Sequence, residues 1–481
     1  MTLQLDVRAR EAVIHGPRRN LMDGAAPTVI ENIAHRVAEA PEGLIRSFQA
    51  DGTLRERTFA ELWRRSGEIA AQLRNLDVGP RSQTVLLLRD LLDFVSSFWA
   101  SQRVGATPIP FTGVAHAATA DELKNLVARL ERPALIADAP TPDIDRLAAL
   151  LPDAPILRLS SLSGDGDEGE NEQANPVAEP DIVCLLPTSG STGTVKIVVL
   201  DRRAVLHRNF SQNYSAAHLS SHILNVFPFE GISGMRALYP TYASLTQMHP
   251  RTLTADPLAI FEAIERFAIT HAYMTNSMAA RLVEDASSVE RRFNLGSLKM
   301  VGLGGETVTR FVATRFDALL RQHGAANVLR AGYGATETSS LLVGADPSAC
   351  PLDEAGAPIL SGPAAGVSLR IVGEDGATLG EGEAGHVEAF APQTLFAGYW
   401  KEPELSRDCM TPTAGIKRET WARSTTGAFR FAAGQSKPWS SADENSRSTT
   451  STPVCKATRI LAARPCHSCF VAALTQPTDS V

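Results

Sequence analysis

The run Pro187-Thr188-Ser189-Gly190-Ser191-Thr192-Gly193-Thr194-Val195-Lys196 lies between two apolar stretches, Asp181 to Leu186 and Ile197 to Leu200. The first stretch reads as a buried strand. Glycines such as Gly190 and Gly193 let backbone N–H groups curl around an anion. The hydroxyls of Thr188, Ser189, Ser191 and Thr192 add donors for phosphate oxygens, and Lys196 adds a positive charge. A flexible Ser/Gly linker would not follow an apolar strand and end in a lysine ahead of another apolar run. The pattern G-x-x-x-x-G-K-[ST] is absent, which argues against a kinase or GTPase loop.

Two more glycine-bearing loops follow short apolar runs. Leu298 to Val301 leads into Gly304-Gly305-Glu306, and Val328 to Arg330 leads into Gly332-Tyr333-Gly334-Ala335-Thr336-Glu337. A carboxylate beside a hydroxyl on a strand-end loop suits Mg²⁺ and a phosphoryl oxygen. Tyr333 offers a flat face for a base. Loops at the C-terminal ends of strands gather on one edge of an open α/β sheet, where such sheets bind ligands.

The surrounding rhythm is that of a parallel sheet covered on both faces. Thr58 and Glu61 form a capping box ahead of Phe59, Leu62, Ile69 and Leu73 at helical spacing. Thr84 to Leu88 is a strand, Leu91 to Arg103 a helix ended by Gly105, and Thr107 to Phe111 the next strand. Ser163 to Pro180 is an acidic surface loop. Val367 to Val372 and Gly385 to Ala389 alternate and carry glycines, as a smaller antiparallel β unit does. A chain of 481 residues exceeds one core. The net charge of -7 gives no reason to expect nucleic acid. No apolar run is long enough to span a membrane, and Met1 to Arg10 lacks a signal-peptide stretch. Six unpatterned cysteines fit a reducing cytoplasm. The Cys466-x-x-Cys469 pair, with His467 inside it, has no second pair to make a metal site.

Together these residues resemble the adenylate-forming superfamily of acyl-CoA synthetases, peptide-synthetase adenylation domains and luciferases. The resemblance covers roughly residues 28–410. Thr188 to Lys196 is similar to the phosphate loop T-S-G-S-T-G-x-P-K, with Val195 in place of the usual proline. Tyr333 to Glu337 matches Y-G-x-T-E, and Gly304-Gly305-Glu306 matches the segment lining the adenine pocket. Gly382-Glu383 through Gly398-Tyr399-Trp400 matches the G-E-x…G-Y-W stretch. The resemblance implies an α/β fold of two doubly wound subdomains plus a distorted β-barrel, the last at about residues 345–400. It implies ATP and Mg²⁺, with Thr336 at the α-phosphate, Glu337 on the metal, and Lys196 and the loop N–H groups neutralising charge. A carboxylate would attack the α-phosphate and release pyrophosphate. A thiol of coenzyme A or of a carrier protein's phosphopantetheine arm would then take the acyl group. A second reading is a non-catalytic AMP-binding remnant. A third is a standalone activating domain of a polyketide or peptide pathway, with an acyl or peptidyl carrier protein as partner.

The chain departs from that pattern twice. Asn225 to Gly234, N-V-F-P-F-E-G-I-S-G, occupies the place where many relatives carry an aromatic residue or histidine beside the carboxylate pocket. Here Phe229, Glu230 and Gly231 stand there. Either Gly231 leaves extra room, or Glu230 meets a polar substrate group, or the stretch is a plain strand-end turn. After Trp400 the family motif D-G-W-x-x-T-G-D-L-G and the hinge G-R-x-K are absent in this frame. Back-translated codons of Pro412 to Ala422, read from the third base, can spell D-G-W-x-[KQ]-T-G-D-L-G. The same offset over Trp439 to Asn445 can spell V-[VIL]-S-G-R-K. This points to a frameshift near Met410 to Pro412 that costs the family's C-terminal domain and impairs turnover. Residues 411–456 are crowded with Ser and Thr, and 411–481 are then expected to be disordered.

Overall fold

A computed structural model describes residues 13–15, 28–111, 120–138, 149, 153–161, 181–189, 195–211, 219–286, 290–306, 308–339, 341–345, 360–361, 363–364, 366–380, 382–410, 415–425 and 428–431. The largest element is an eight-stranded sheet. Its order is Leu341–Ala345, Leu329–Gly334, Met300–Leu303, His271–Met274, His222–Asn225, Ser244–Gln247, Leu44–Phe48 and Leu54–Thr58. The six inner strands are parallel, and each edge strand is antiparallel to its neighbour. A second sheet, Thr107–Pro110, Gln83–Leu87, Pro133–Ala137 and Ile156–Arg158, is wholly parallel. Its strands are nearly all buried, as two covered faces require.

The helices form where the sequence places their caps. Thr58 Oγ1 accepts from Glu61 N at 3.1 Å and Thr58 N donates to Glu61 Oε2 at 2.7 Å, closing the box that starts Phe59–Asn75. Asp90 caps Leu91–Arg103, which is buried almost throughout. That helix carries Trp99, whose indole N–H donates to Leu238 O at 2.8 Å. The largest core cluster joins these two helices to Tyr242, Tyr273, Ile371 and Val387. A second cluster fills the opposite face of the eight-stranded sheet, beneath helices Ala259–Phe267, Asn276–Ala286 and Arg310–Gln322.

One expectation is corrected. The smaller β unit is an open six-stranded antiparallel sheet, not a barrel. It runs Val13–His15, Ser368–Val372, Ala384–Phe390, Gly415–Thr425, Ala428–Phe431, Leu360–Ser361. Among the described residues its two outer strands do not pair with each other. The sheet also draws strands from residues 13–15 and 415–431. Within the stretch from residue 411, the described residues 415–425 and 428–431 form strands. The strand at 415–425 pairs with Ala384–Phe390 and turns back on itself through 428–431. A sheet edge accepts backbone partners without regard to side-chain periodicity, and Ile416 enters the core at 1% exposure. Residues 432–481, with the cysteine pair, lie outside the described residues, as does the whole acidic loop at 163–180.

Candidate active site

Strands His271–Met274, Met300–Leu303 and Leu329–Gly334 run in register, with Met274 beside Leu303 and Leu303 beside Ala331. Their C-terminal ends therefore share one edge, and two of the three glycine loops leave from it, as the sequence predicts. Gly304 N donates to Met274 O at 3.2 Å, and Gly305 has φ +78°, a left-handed conformation that suits glycine. Glu306 turns toward the neighbouring helix. Its Oε2 accepts from Ser277 Oγ at 2.8 Å and its Oε1 accepts from Ser277 N. A carboxylate at a helix start is favoured by the helix dipole, so Glu306 fixes the loop to Asn276–Ala286.

Strand Leu329–Gly334 shifts register between Tyr333 and Gly334, and the chain then enters a short 3₁₀ turn, Thr336–Thr338. Thr338 Oγ1 both accepts from Ala335 N at 3.2 Å and donates to Ala335 O at 3.0 Å. The turn is thereby held shut, with Thr336 and Glu337 buried and Tyr333 half-buried.

The third loop has a different origin from the other two. Ile182–Ser189 and Val195–Asp201 are antiparallel, with Thr188 across from Lys196 and Ser189 across from Val195. The two ends of the phosphate-loop sequence therefore sit on neighbouring antiparallel strands of a separate three-stranded sheet. Gly190, Ser191, Thr192, Gly193 and Thr194, and the Ser189 side chain, lie outside the described residues. The Thr188 hydroxyl donates across the hairpin to Lys196 O at 3.5 Å.

A strap from Leu395 to Trp400 brings the hairpin and the 3₁₀ turn together. Gly398 and Tyr399 pair with Val199 and Val198 of the lysine-bearing strand. Phe396 N donates to Glu337 O at 2.7 Å. The Tyr399 hydroxyl donates to Glu337 Oε1 at 2.8 Å, and Lys196 Nζ lies 5.4 Å from the centre of the Tyr399 ring. Lys196, Glu337 and Tyr399, far apart in sequence, thus meet. Tyr399 is the residue that sequence reasoning missed as a site residue. The Gly-Tyr-Trp signal was visible, but nothing in it tells that the phenol reaches a carboxylate 62 residues away.

No three or more His, Cys, Asp or Glu side chains gather as a metal cage among the described residues. Mg²⁺ does not need one, because it is held through one or two carboxylates, water and phosphate oxygens. A single buried carboxylate, Glu337, beside a cationic lysine fits that ion when it arrives with a polyphosphate.

The Phe229–Gly231 segment leaves the same edge after strand His222–Asn225. The Phe229 ring packs on Phe94 at 4.9 Å. Glu230 is buried, and burial pushes its carboxyl up to about 7, partly offset by its own backbone N–H. A Cβ at Gly234 would fall 2.0 Å from Pro228 O, so only glycine fits there. At Gly231 the nearest atom to an added Cβ is Pro228 O at 3.7 Å, which is ordinary contact. Gly231 is therefore not demanded by the backbone, and its lack of a side chain leaves room. Behind this loop Arg236, also buried, stacks on Tyr273 at 3.9 Å.

Residues 34–400 match the model of the family described as AMP-binding enzyme. The chain belongs to that family. It is 28% identical over 407 residues to atromentin synthetase invA5 of Paxillus involutus, an alignment covering 79% of this chain and 41% of that protein. It thus spans less than half the length of that curated relative. Among solved structures it is similar to the adenylation domain of a keto acid-selecting NRPS module bound to keto acyl adenylate. That match has a TM-score of 0.75 at 20% identity and covers 88% of this chain and 82% of that one. The fatty acyl-adenylate ligase from L. pneumophila, in complex with acyl adenylate and pyrophosphate, gives a TM-score of 0.72 at 17% identity, covering 87% and 79%. These likenesses bear out the expected adenylate-forming fold. No helix among the described residues is long and apolar enough to cross a membrane.

Proposed function

We propose that this chain binds ATP and joins a carboxylic acid to its α-phosphate, releasing pyrophosphate and holding the acyl-adenylate for transfer to a thiol. The observation that carries the reading is the meeting of Lys196, Tyr399 and Glu337 at the edge where the Thr336 turn and the Gly304-Gly305 loop also end. The reaction asks little covalent help of a protein. It requires the acid oxygen and the α-phosphorus to be held in line and the developing charge to be offset. Lys196 supplies a cation at the base of the phosphate loop, over the Tyr399 ring. Thr336, at the start of the closed turn, would be the hydroxyl for the α-phosphate. Bound Mg²⁺ would add Lewis-acid charge at the phosphates, with Glu337 as its protein ligand. The acid lies along the loop of Phe229, Glu230 and Gly231, with Phe229 and Phe94 as an apolar wall.

Family membership and fold support this reading, and so does the keto acyl adenylate held by the neighbour at 20% identity. Keto acids therefore head the acids to screen, followed by fatty acids and aromatic acids. The acceptor is a carrier-protein phosphopantetheine or coenzyme A. The test is acid-dependent exchange of labelled pyrophosphate into ATP by the full chain. Exchange with at least one acid, lowered at least about 100-fold by Lys196→Ala or Glu337→Gln, is expected from loss of preorganised charge. ATP binding with no exchange for any acid would overturn catalysis in favour of a nucleotide-binding remnant, the outcome that a lost C-terminal domain would produce.

A further inference from the structure

We propose that Tyr399 is a positioning residue that fixes Glu337 and Lys196 relative to each other, so that metal-bound and metal-free nucleotide are told apart through its hydroxyl. This rests on the adenylate-forming reading above. The backbone of Tyr399 is held from both sides. Its N–H donates to Ser406 Oγ at 2.8 Å, and its carbonyl accepts from Glu402 N at 3.1 Å. Trp400 N donates to Ile197 O at 2.8 Å and Ala397 N to Val199 O at 2.9 Å, stitching the strap to the lysine strand. Gly398, at φ +135°, lets the strap cross there, since a Cβ would lie 3.0 Å from Ser406 Oγ.

From that fixed backbone the side chain does two things. Tyr399 pairs with Val198, and Lys196 lies two residues along the same strand and so on the same face. An aromatic ring reaches such a diagonal neighbour, and the ammonium lies over the ring face, an attractive arrangement. The hydroxyl meanwhile donates to Oε1 of a carboxylate that is 7% exposed. Hydrogen bonds to a charged acceptor are the strong ones, and a buried carboxylate depends on them. One phenol thus uses its ring for the cation and its oxygen for the anion. Phe396, edge-on to Tyr399 at 5.0 Å, keeps the ring from swinging. The two functions separate cleanly by substitution: phenylalanine keeps the ring and removes the oxygen, whereas leucine removes both.

The experiment is calorimetric titration of the full chain with ATP, in Mg²⁺ and again in EDTA, for wild type, Tyr399→Phe and Tyr399→Leu. Tyr399→Phe is expected to weaken Mg·ATP about tenfold, equivalent to about 1.4 kcal/mol, while binding in EDTA changes less than about twofold. Tyr399→Leu is expected to weaken both. A merely structural tyrosine would move both arms together in Tyr399→Phe, and that result, or an unchanged Mg·ATP affinity, overturns the proposal. Wild type that binds no Mg·ATP overturns the adenylate reading itself, and the positioning role with it. Tyr399→Phe keeps the packing against Phe396, so a matching melting profile separates its effect from misfolding.

Discussion

Replacing Glu230 by glutamine should make the protein more stable at alkaline pH and scarcely change it at acid pH. The carboxyl is 6% exposed and burial raises it from 4.5 to about 7. The group therefore holds its proton longer in the folded chain than in the unfolded one. Between those values the folded state binds more protons, so stability falls as pH rises. Below the unfolded value the residue is neutral in both states and no penalty arises. Above about 7 the full cost of charging a buried carboxylate is present. A rise of two to three units at about 1.4 kcal/mol each gives ~3 kcal/mol at pH 8 and under ~1 kcal/mol at pH 5. Glutamine has nearly the same shape and no charge, so Glu230→Gln should recover most of that difference at pH 8. Denaturant midpoints measured at pH 5, 6, 7 and 8 for both proteins test it. Wild type should lose stability relative to the variant as pH rises, with the gap opening across pH 5 to 7. Parallel curves would refute the reasoning and mean that Glu230 finds a compensating partner or water.

Three further outcomes are expected. Gly234→Ala should disrupt the loop after His222–Asn225, because its Cβ would sit 2.0 Å from a backbone carbonyl, whereas Gly231→Ala should cost under about 1 kcal/mol; thermal denaturation of the pair separates them. Trp99→Phe should cost about 1–3 kcal/mol by leaving Leu238 O without the indole donor in a buried setting, read by urea unfolding. Thr58→Ala should cost about 1 kcal/mol through loss of the cap at Phe59–Asn75, with Thr58→Ser retaining most of it in the same assay.

Much of the fold is written in local signals. The Thr58–Glu61 box, the apolar run at Thr84 to Leu88 and the helix at Leu91 to Arg103 each depend on residues within one or two turns of one another, and each forms. The glycine loops after Val301 and Arg330 also fall where short parallel strands deliver them. What was not legible depends on pairing across long separations. Leu44–Phe48 joins a sheet whose next strand is Ser244–Gln247, some 200 residues on. The phosphate loop follows a buried strand as read, but its second strand returns antiparallel, and period-2 patterns cannot state direction. The tie between Tyr399 and Glu337 is of the same kind: each residue is ordinary in its own neighbourhood, and only the strap laid over the Lys196 strand brings them within 2.8 Å.

The stretch after Met410 sharpens that distinction. Its composition lacks both helical and strand periodicity, yet Gly415–Thr425 pairs along Ala384–Phe390 with a register shift at His386 to Glu388. Strand Ala384–Phe390 would otherwise present unpaired N–H and C=O groups on one side, and any chain able to extend can satisfy them. Backbone pairing of this sort reports that the preceding sheet demands a neighbour, not that the neighbour's side chains were selected for the place. The shifted-frame motif and the observed hairpin are therefore compatible. A family strand at this position and a substitute of unrelated sequence would both answer the same row of hydrogen-bonding groups.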